Sequence, residues 1–245
     1  MYFRICFSTL LVIHILKYMK KKFLSIILLS FLSVSVFSHN EHYTNLNSLE
    51  YDLYRNDELI GYHNYFFKKE GINLKVSSIL DIKINKLGID LYKYNLESIE
   101  EYEGDQLVKY SSKTQQNKKT KMTNIELDKK NDKLIISGTE NQLISPKEYP
   151  VGTWWNHEII QSKAQISAIS GRIIEQRVTF LGKEKLNLYG KTYDALRFNF
   201  SSSDENLPEK KRMNTDIWYD EKTHIWLKAG FEQTGYWEYR LKSYN

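Results

Sequence analysis

The stretch LKVSSILDIKI, residues 74–84, alternates apolar and polar side chains, and this alternation decides the fold class. The apolar side of the pattern holds Leu74, Val76, Leu80, Ile82 and Ile84. The polar side holds Lys75, Ser77, Asp81 and Lys83. Successive side chains of a β-strand point to opposite faces of a sheet, so the pattern predicts a strand with one buried and one exposed face.

The same alternation recurs from residue 49 to the C-terminus, most clearly in residues 92–96, 196–200 and 225–231. Polar turn signals separate the runs, at residues 55–57, 103–105, 130–132, 170–171, 189–191 and 220–222. Their spacing is typical of an antiparallel meander. Residues 39–245 are therefore predicted to form a single all-β domain. Its sheet is a strongly curved antiparallel sheet, or open half barrel, of roughly ten strands.

One segment interrupts the alternation. Residues 150–161, PVGTWWNHEIIQ, offer Thr153 as a candidate N-cap for a turn that carries Trp155, Ile159 and Ile160. We predict at most one short helix in the domain and assign it to this segment.

The N-terminal 38 residues have the composition of an export signal. They contain five basic residues and no acidic residue. Met19 is followed by three lysines and then by an apolar run with interspersed serines, residues 23–37. This arrangement predicts a Sec-type signal peptide over residues 19–38, cleaved near Ser38. Residues 1–18 are then an upstream extension, and Met1 and Met19 both remain candidate start residues. An uncleaved membrane anchor is the alternative, but neither apolar run reaches the roughly 20 residues that span a bilayer.

Cleavage changes the charge of the protein. The whole chain has 35 basic and 30 acidic residues, a net charge of +5. All of this excess lies in residues 1–38, and so does Cys6, the one cysteine. The mature chain is expected to be neutral, free of thiols and located in the periplasm or secreted, with no stable membrane span. A neutral chain gives no reason to expect nucleic acid as a partner.

An acidic run and a basic run follow each other in residues 97–121. A hairpin with Gly104 and Asp105 at its tip would place Glu100 opposite Lys109, and such a pair contributes about 0.2–1 kcal/mol. We interpret these charges as a solvated hairpin. A nucleic-acid arm would combine the lysines with arginines and aromatic residues, which this run lacks.

Sequence motifs for catalysis are absent. The chain has no phosphate-binding loop, no dinucleotide fingerprint and no nucleophile elbow. His157-Glu158 begins like a zinc-protease helix, but Gln161 stands where the second histidine is required. We predict no catalytic residue, no metal and no cofactor.

A copper site at the N-terminus of the mature chain is an alternative. Cleavage after Ser38 would leave His39 as the first residue, and its amine and imidazole together chelate copper. Copper-dependent polysaccharide monooxygenases use an N-terminal histidine in this way, with a second histidine from the core. The candidates for that second ligand are His63, His157 and His224.

The remaining clue is aromatic. All five tryptophans lie in the second half of the chain, two of them adjacent in the irregular segment. Such rings either fill the core or wall a pocket for a lipid, a peptide or a glycan. The candidate ligand-binding residues are Trp154, Trp155, Asn156, Trp218, Tyr219 and Asp220.

Several short motifs carry a family resemblance, and they occur at residues 60–63 (IGYH), 101–107 (EYEGDQL), 155–156 (WN), 178–184 (VTFLGKE), 189–195 (YGKTYDA) and 218–220 (WYD). In this order they resemble a group of bacterial exported proteins known as domains of unknown function. Some relatives of that group are similar to the periplasmic carriers that localise lipoproteins. The resemblance implies an open antiparallel barrel whose concave face holds acyl chains under helical lids. This chain departs from the carriers because it offers no set of lid helices.

Three functional hypotheses follow. The first is a non-enzymatic exported protein that binds an apolar or envelope-derived ligand, such as a lipid, on the concave face of the sheet. The second is an enzyme acting on envelope glycans, with Trp155, Asn156 and Asp220 near a cleft. The third is an interaction or structural module of the envelope that pairs through a sheet edge. The sequence leaves the oligomeric state open.

The signal peptide generates a direct prediction. N-terminal sequencing of the exported protein should give His39 as the first residue, because the small residues that signal peptidase requires precede it. A sequence that starts at Met1 or Met19 would contradict cleavage.

Overall fold

The structure, a computed structural model, describes residue 43, residues 45–139 and residues 142–245. These residues belong to the compact unit His39–Asn245. The predicted upstream extension (residues 1–18) and signal peptide (residues 19–38) lie outside the described residues. The amine and imidazole of His39, which would chelate copper, also lie outside them. Those assignments stay predictions.

The described strands form one antiparallel sheet with two arms. The first arm comprises β1 (Ser48–Arg55), β2 (Glu58–Glu70), β3 (Asn73–Lys86), β4 (Ile89–Glu103), β5 (Gln106–Gln116), β6 (Lys119–Asp128), β7 (Lys133–Gly138) and β8 (Leu143–Pro146). The second arm comprises β9 (Ala164–Ile166), β10 (Ile173–Leu188), β11 (Lys191–Ser202), β12 (Asn214–Asp220), β13 (Trp226–Glu232) and β14 (Tyr236–Tyr244).

The strand order shows how the chain builds this sheet. β1 and β14 are neighbours in the middle, and β8 and β9 are the two edges. The chain runs outward from β1 to β8 through consecutive neighbours, crosses to the other edge, and returns from β9 to β14. β8 and β9 do not pair with each other, so the sheet is not closed into a barrel.

The predicted all-β fold with an open antiparallel sheet is confirmed, with fourteen strands instead of roughly ten. Two of the additional strands are short edge strands. β8 has four residues and β9 has three. Runs of three or four residues are too short for alternation to stand out from chance, so the sequence pattern did not reveal them.

The interrupted segment forms a five-residue 3₁₀ helix, His157–Gln161. Its N-cap is Asn156, whose side chain accepts a hydrogen bond from the Glu158 backbone N–H. The expectation that Thr153 is the cap was wrong, because the Thr153 carbonyl already accepts a hydrogen bond from the backbone N–H of Trp155, in a tight turn before the helix. A second 3₁₀ helix spans Glu209–Lys211, and the described residues contain no α-helix.

The charged hairpin forms between β4 and β5, but its register differs from the predicted one. β4 and β5 pair as predicted around Gly104, but a β-bulge between Glu101 and Tyr102 shifts the pairing by one residue. Glu101, not Glu100, therefore lies opposite Lys109. Glu100 shares the inward parity of the buried residues of β4 and is itself 1% exposed.

Gly61 in β2 marks a close approach of two strands. A Cβ atom at this position would lie 2.0 Å from the backbone carbonyl oxygen of Asp81 in β3. Only glycine fits so close to a neighbouring backbone.

Replacing this glycine should therefore weaken the β2–β3 pair. We expect Gly61→Ala to lower the free energy of unfolding by about 1–3 kcal/mol, as overpacked sites do. Urea denaturation followed by circular dichroism measures the change. Asn64→Ala, three residues further along the same strand on a half-buried side chain, serves as the control. Equal stability of the two variants would contradict the close approach.

Candidate functional site

Residues 147–172 connect β8 to β10 and cross one face of the sheet; we name this segment the strap and that face the inner face. Tyrosine hydroxyls from both arms bind its backbone. The Tyr65 hydroxyl in β2 donates to the Thr153 carbonyl at 2.7 Å. The Tyr219 hydroxyl in β12 donates to the Trp154 carbonyl at 3.0 Å. The strap is thus held by the two arms at adjacent residues.

Trp155 fixes the strap most firmly. Its side chain is fully buried, and its Nε1 donates to the Glu100 carboxylate at 2.9 Å. The other Glu100 oxygen accepts from the Tyr102 hydroxyl at 2.7 Å. The rings of Tyr43, Phe67 and Tyr102 meet the indole edge to face, at centroid distances of 5.2, 5.3 and 5.7 Å. Such aromatic pairs contribute about 0.5–1.5 kcal/mol beyond their buried area.

Burial also changes the acidity of Glu100. Loss of water raises the pKa of its carboxyl above the ordinary value, although hydrogen bonds from Tyr102 and Trp155 act in the opposite direction. A carboxyl with a raised pKa binds its proton more tightly in the folded chain than in the unfolded chain. Its contribution to stability is therefore full below the ordinary value of 4.5 and declines as the pH rises toward the folded value.

Trp154 adopts a strained backbone conformation next to this anchor. Its φ angle is +61°, in the left-handed region that bulky residues avoid at a cost of about 1–2 kcal/mol. The hydrogen bond from Tyr219 and the anchoring of Trp155 hold it there. Strain of this kind is concentrated at functional sites. In this conformation the indole packs edge to face on Trp226, with a centroid distance of 5.5 Å.

A cavity of about 670 Å³ lies between the strap and the inner face. Its volume falls within the range of about 300–1,000 Å³ that small-molecule sites occupy. Both arms and the strap contribute to its walls. The apolar lining is Leu80, Ile82, Ile84, Leu96, Ile169, Ile174 and Phe231. The aromatic lining is Tyr65, Tyr92, Tyr94, Trp154, Trp226, Trp237 and Tyr239.

One end of the cavity, which we call the mouth, lies beside the turns at residues 56–57, 87–88, 117–118 and 233–235. The charged side chains of the described lining are all cationic: Arg55, Lys119 and Lys121. Arg55 donates to the Thr234 carbonyl at 3.0 Å. Each of the three belongs to a strand end near the mouth.

The opposite end of the cavity, which we call the inner end, is aromatic. Trp154, Trp226 and His63 surround Tyr239, with ring centroids 5.4–5.9 Å from it. His63 is also 4.3 Å from the ring of Tyr65. Burial lowers the His63 pKa to about 3, so its imidazole is neutral at physiological pH.

The six residues predicted to bind a ligand occupy different environments. Trp154 lines the cavity. Trp155 lies in the core beneath the strap, and Asn156 caps the 3₁₀ helix. The Tyr219 side chain points inward and holds the Trp154 carbonyl. The structure thus brings these four together, although among them only Trp154 contributes to the described lining.

Trp218 and Asp220 lie away from that group. Trp218 points outward, because neighbouring strand residues alternate, and its ring is covered by Arg197 at 4.9 Å and Lys228 at 5.0 Å. The Asp220 carboxylate accepts from the backbone N–H of Thr223 at 2.9 Å and so stabilises its own turn. Ligand binding by the six residues stays a prediction.

Sequence reasoning missed the strand residues of the inner end, His63, Trp226 and Tyr239. His63 does carry a sequence signal, because it shares the inward parity of Tyr65 two residues on. This parity identifies the face of the sheet to which His63 points. The cavity on that face exists only because the strap covers it.

The core histidines lie in two separate places. The rings of His157 and His224 are stacked at 4.6 Å, and the Tyr43 hydroxyl hydrogen-bonds His157 Nδ1 at 2.8 Å. His63 lines the cavity. Within the described residues, no group of three or more His, Cys, Asp or Glu side chains is placed to hold a metal ion.

The chain belongs to the family named Domain of unknown function (DUF6134), whose model matches residues 51–242. No curated protein matches the chain. The crystal structure of a beta-barrel-like protein of domain of unknown function DUF1849 from Brucella abortus is similar, with a TM-score of 0.59 and 12% sequence identity. The match covers 82% of this chain and 97% of that chain.

A DUF1329 family protein from Desulfovibrio piger matches with a TM-score of only 0.21 and 9% identity, covering 84% of this chain and 88% of that one. A likeness this weak carries no argument. The DUF1849 match shows the fold, and with the family match it confirms the resemblance to domains of unknown function with an open, barrel-like sheet.

None of the helices in the described residues is long and apolar enough to span a membrane.

The Glu100 anchor leads to a stability prediction. Glu100→Ala removes both acceptors and leaves the Trp155 and Tyr102 donors buried without partners, at about 1–3 kcal/mol each. Glu100→Gln keeps the shape and an acceptor oxygen, and it removes the group that titrates. We expect Glu100→Ala to be strongly destabilised and Glu100→Gln to be near the parent chain, measured by urea denaturation.

The same pair of variants tests the pH dependence. As the pH rises above the ordinary glutamate value of 4.5, the stability of the parent should fall relative to Glu100→Gln. Parallel pH profiles for the parent and Glu100→Gln would contradict a raised Glu100 pKa.

Proposed function

We propose that this DUF6134 protein binds an anionic amphiphile, such as a lipid with an acidic headgroup, non-covalently in the cavity under the strap. The single observation that carries the proposal is the cavity of about 670 Å³ with mainly apolar walls and only cationic charges in its described lining. We further propose that the protein acts outside the cytoplasm, which rests on the composition of residues 1–38.

The apolar walls favour a hydrocarbon chain. Leu80, Ile82 and Leu96 present neighbouring side chains to the cavity from β3 and β4. Each methylene that leaves water for such a wall contributes about 0.8 kcal/mol. A chain of several methylenes therefore gains enough free energy to offset the entropy lost on binding.

The charges favour a defined orientation. Arg55 and Lys119 lie near the mouth, where water still reaches an acidic group. An anionic headgroup at this position meets two cations without being buried, so it avoids the desolvation cost of a charge in an apolar interior. The chain then extends toward the inner end.

The glycan-enzyme alternative has less support. Trp155 is fully buried in the core, and the carboxylate of Asp220 hydrogen-bonds its own turn. Neither side chain lines the cavity, so the pair offers no common site for a substrate in the described residues. Pairing through the β8 or β9 edge stays the third hypothesis.

A charge placed on the cavity wall should weaken binding. Ile84 lines the cavity from β3 and is only half-buried, so Ile84→Asp is expected to fold. We expect its affinity for dodecanoic acid to fall at least about tenfold, because a carboxylate in the wall must be desolvated and repels the ligand. Delipidated protein titrated with dodecanoic acid in a calorimeter gives the affinity.

The matched control lies on the same strand. Ile79 points to the outer face and is 39% exposed. Ile79→Asp should bind as the parent does. If the parent does not bind dodecanoic acid, or if both variants lose binding equally, the cavity is not the site.

A further inference from the structure

Five residues of the cavity lining carry buried polar atoms that have no hydrogen-bond partner. The atoms are both imidazole nitrogens of His63, Nε1 of Trp154, Nε1 of Trp226, the Tyr94 hydroxyl and Thr114 Oγ1. The two hydroxyls lie near each other without a hydrogen bond of normal geometry. More than nine-tenths of buried polar groups in folded proteins are satisfied, so their concentration around one cavity calls for a physical reason.

The tryptophan and histidine members form one cluster at the inner end. Trp154 and Trp226 are in direct ring contact at 5.5 Å, and His63 and Trp154 each lie 5.9 Å from Tyr239, between them. His63 is 7% exposed and Trp226 is fully buried. All three side chains line the same cavity.

The chemistry of these atoms defines what would satisfy them. An indole N–H only donates, so Trp154 and Trp226 require an acceptor. A neutral imidazole offers one donor and one acceptor, and a hydroxyl offers both. The charged lining residues are near the mouth, so a carboxylate at the inner end would be buried without a cation. A neutral oxygen accepts from the indole N–H groups and needs no cation, so it fits the inner end.

We propose that the inner end of the cavity is a subsite for a neutral oxygen group, a hydroxyl or a carbonyl, carried by the chain of the bound amphiphile. This inference rests on the proposed function and names its ligand class more closely. The ligand is an acidic lipid with a second, uncharged oxygen far from its headgroup. The oxygen accepts from the indole N–H groups of Trp154 and Trp226, and a hydroxyl also donates to His63.

The span of the site agrees with such a ligand. Arg55 at the mouth and Tyr51, which stacks on Trp226 at 4.2 Å, are in the same strand. Four residues of strand cover about 13 Å, roughly the length of an extended twelve-carbon chain. The pair dodecanoic acid and 12-hydroxydodecanoic acid therefore tests the subsite with a single added oxygen.

The hydroxy acid should bind at least about fivefold more tightly than dodecanoic acid, the gain expected of one net hydrogen bond. In a merely apolar cavity the added hydroxyl would instead weaken binding, because it would lose its water without replacement. The affinities are measured by calorimetry on the delipidated full chain. Equal or weaker binding of the hydroxy acid overturns the inference while leaving the proposed function standing.

Two variants locate the effect. Trp226→Phe and His63→Phe keep an aromatic ring and remove the polar atoms, so each should abolish the preference for the hydroxy acid. The quantity compared is the ratio of the two affinities within each variant, so a change in affinity that both acids share does not affect the test. Trp237→Phe is the control: Trp237 also lines the cavity, but its Nε1 already donates to the Gln233 carbonyl at 2.6 Å. The control should keep the preference.

The outcomes separate the two proposals. Failure of both acids to bind overturns the binding function and the subsite together. Binding of both acids with no preference, or with a preference that Trp226→Phe and His63→Phe retain, overturns only the subsite and means that water satisfies the inner end. Circular dichroism spectra and urea midpoints confirm that each variant is folded.

Discussion

The hydrogen bond between Trp155 and the buried Glu100 carboxyl is the constraint on which the rest of the structure depends. It joins the strap to the fourth strand at a point where no water reaches either group. Tyrosine hydroxyls from β2 and β12 then fix the two preceding carbonyls. With three successive residues held, Trp154 has no freedom to leave its left-handed conformation, and its indole remains against Trp226. The cavity wall is a consequence of this anchor.

Buried polar groups have hydrogen-bond partners around Trp155 but lack them in the cavity. Around Trp155, the Glu100 oxygens and the Trp155 and Tyr102 donors satisfy one another. In the cavity, His63 and Trp226 have buried polar atoms without partners. A sequence selected for stability alone would replace such groups with apolar ones, because unpaired buried donors are costly. Local violations of this rule are concentrated where a protein binds something, and this contrast is the reason to regard the cavity as the functional site.

The fold tolerates wide divergence. A DUF1849 protein from Brucella abortus has the same barrel-like arrangement at 12% identity. Alternation of apolar and polar residues with turns between them is sufficient to build an antiparallel sheet, and many sequences satisfy it. The alternating pattern does not dictate which side chains line the cavity. Fold similarity alone therefore does not assign a function to this chain.

The sequence by itself determined the all-β class, the open antiparallel sheet and the predicted turns, because period-two alternation and turn chemistry are local properties. It also pointed to Trp154. Only the tertiary structure decided which face is covered and what meets there. The bulge between Glu101 and Tyr102 set which glutamate lies opposite Lys109, and alternation in β12 separated Trp218 from Tyr219. Which of two faces a strap crosses depends on contacts between residues distant in the chain, and no local pattern contains that information.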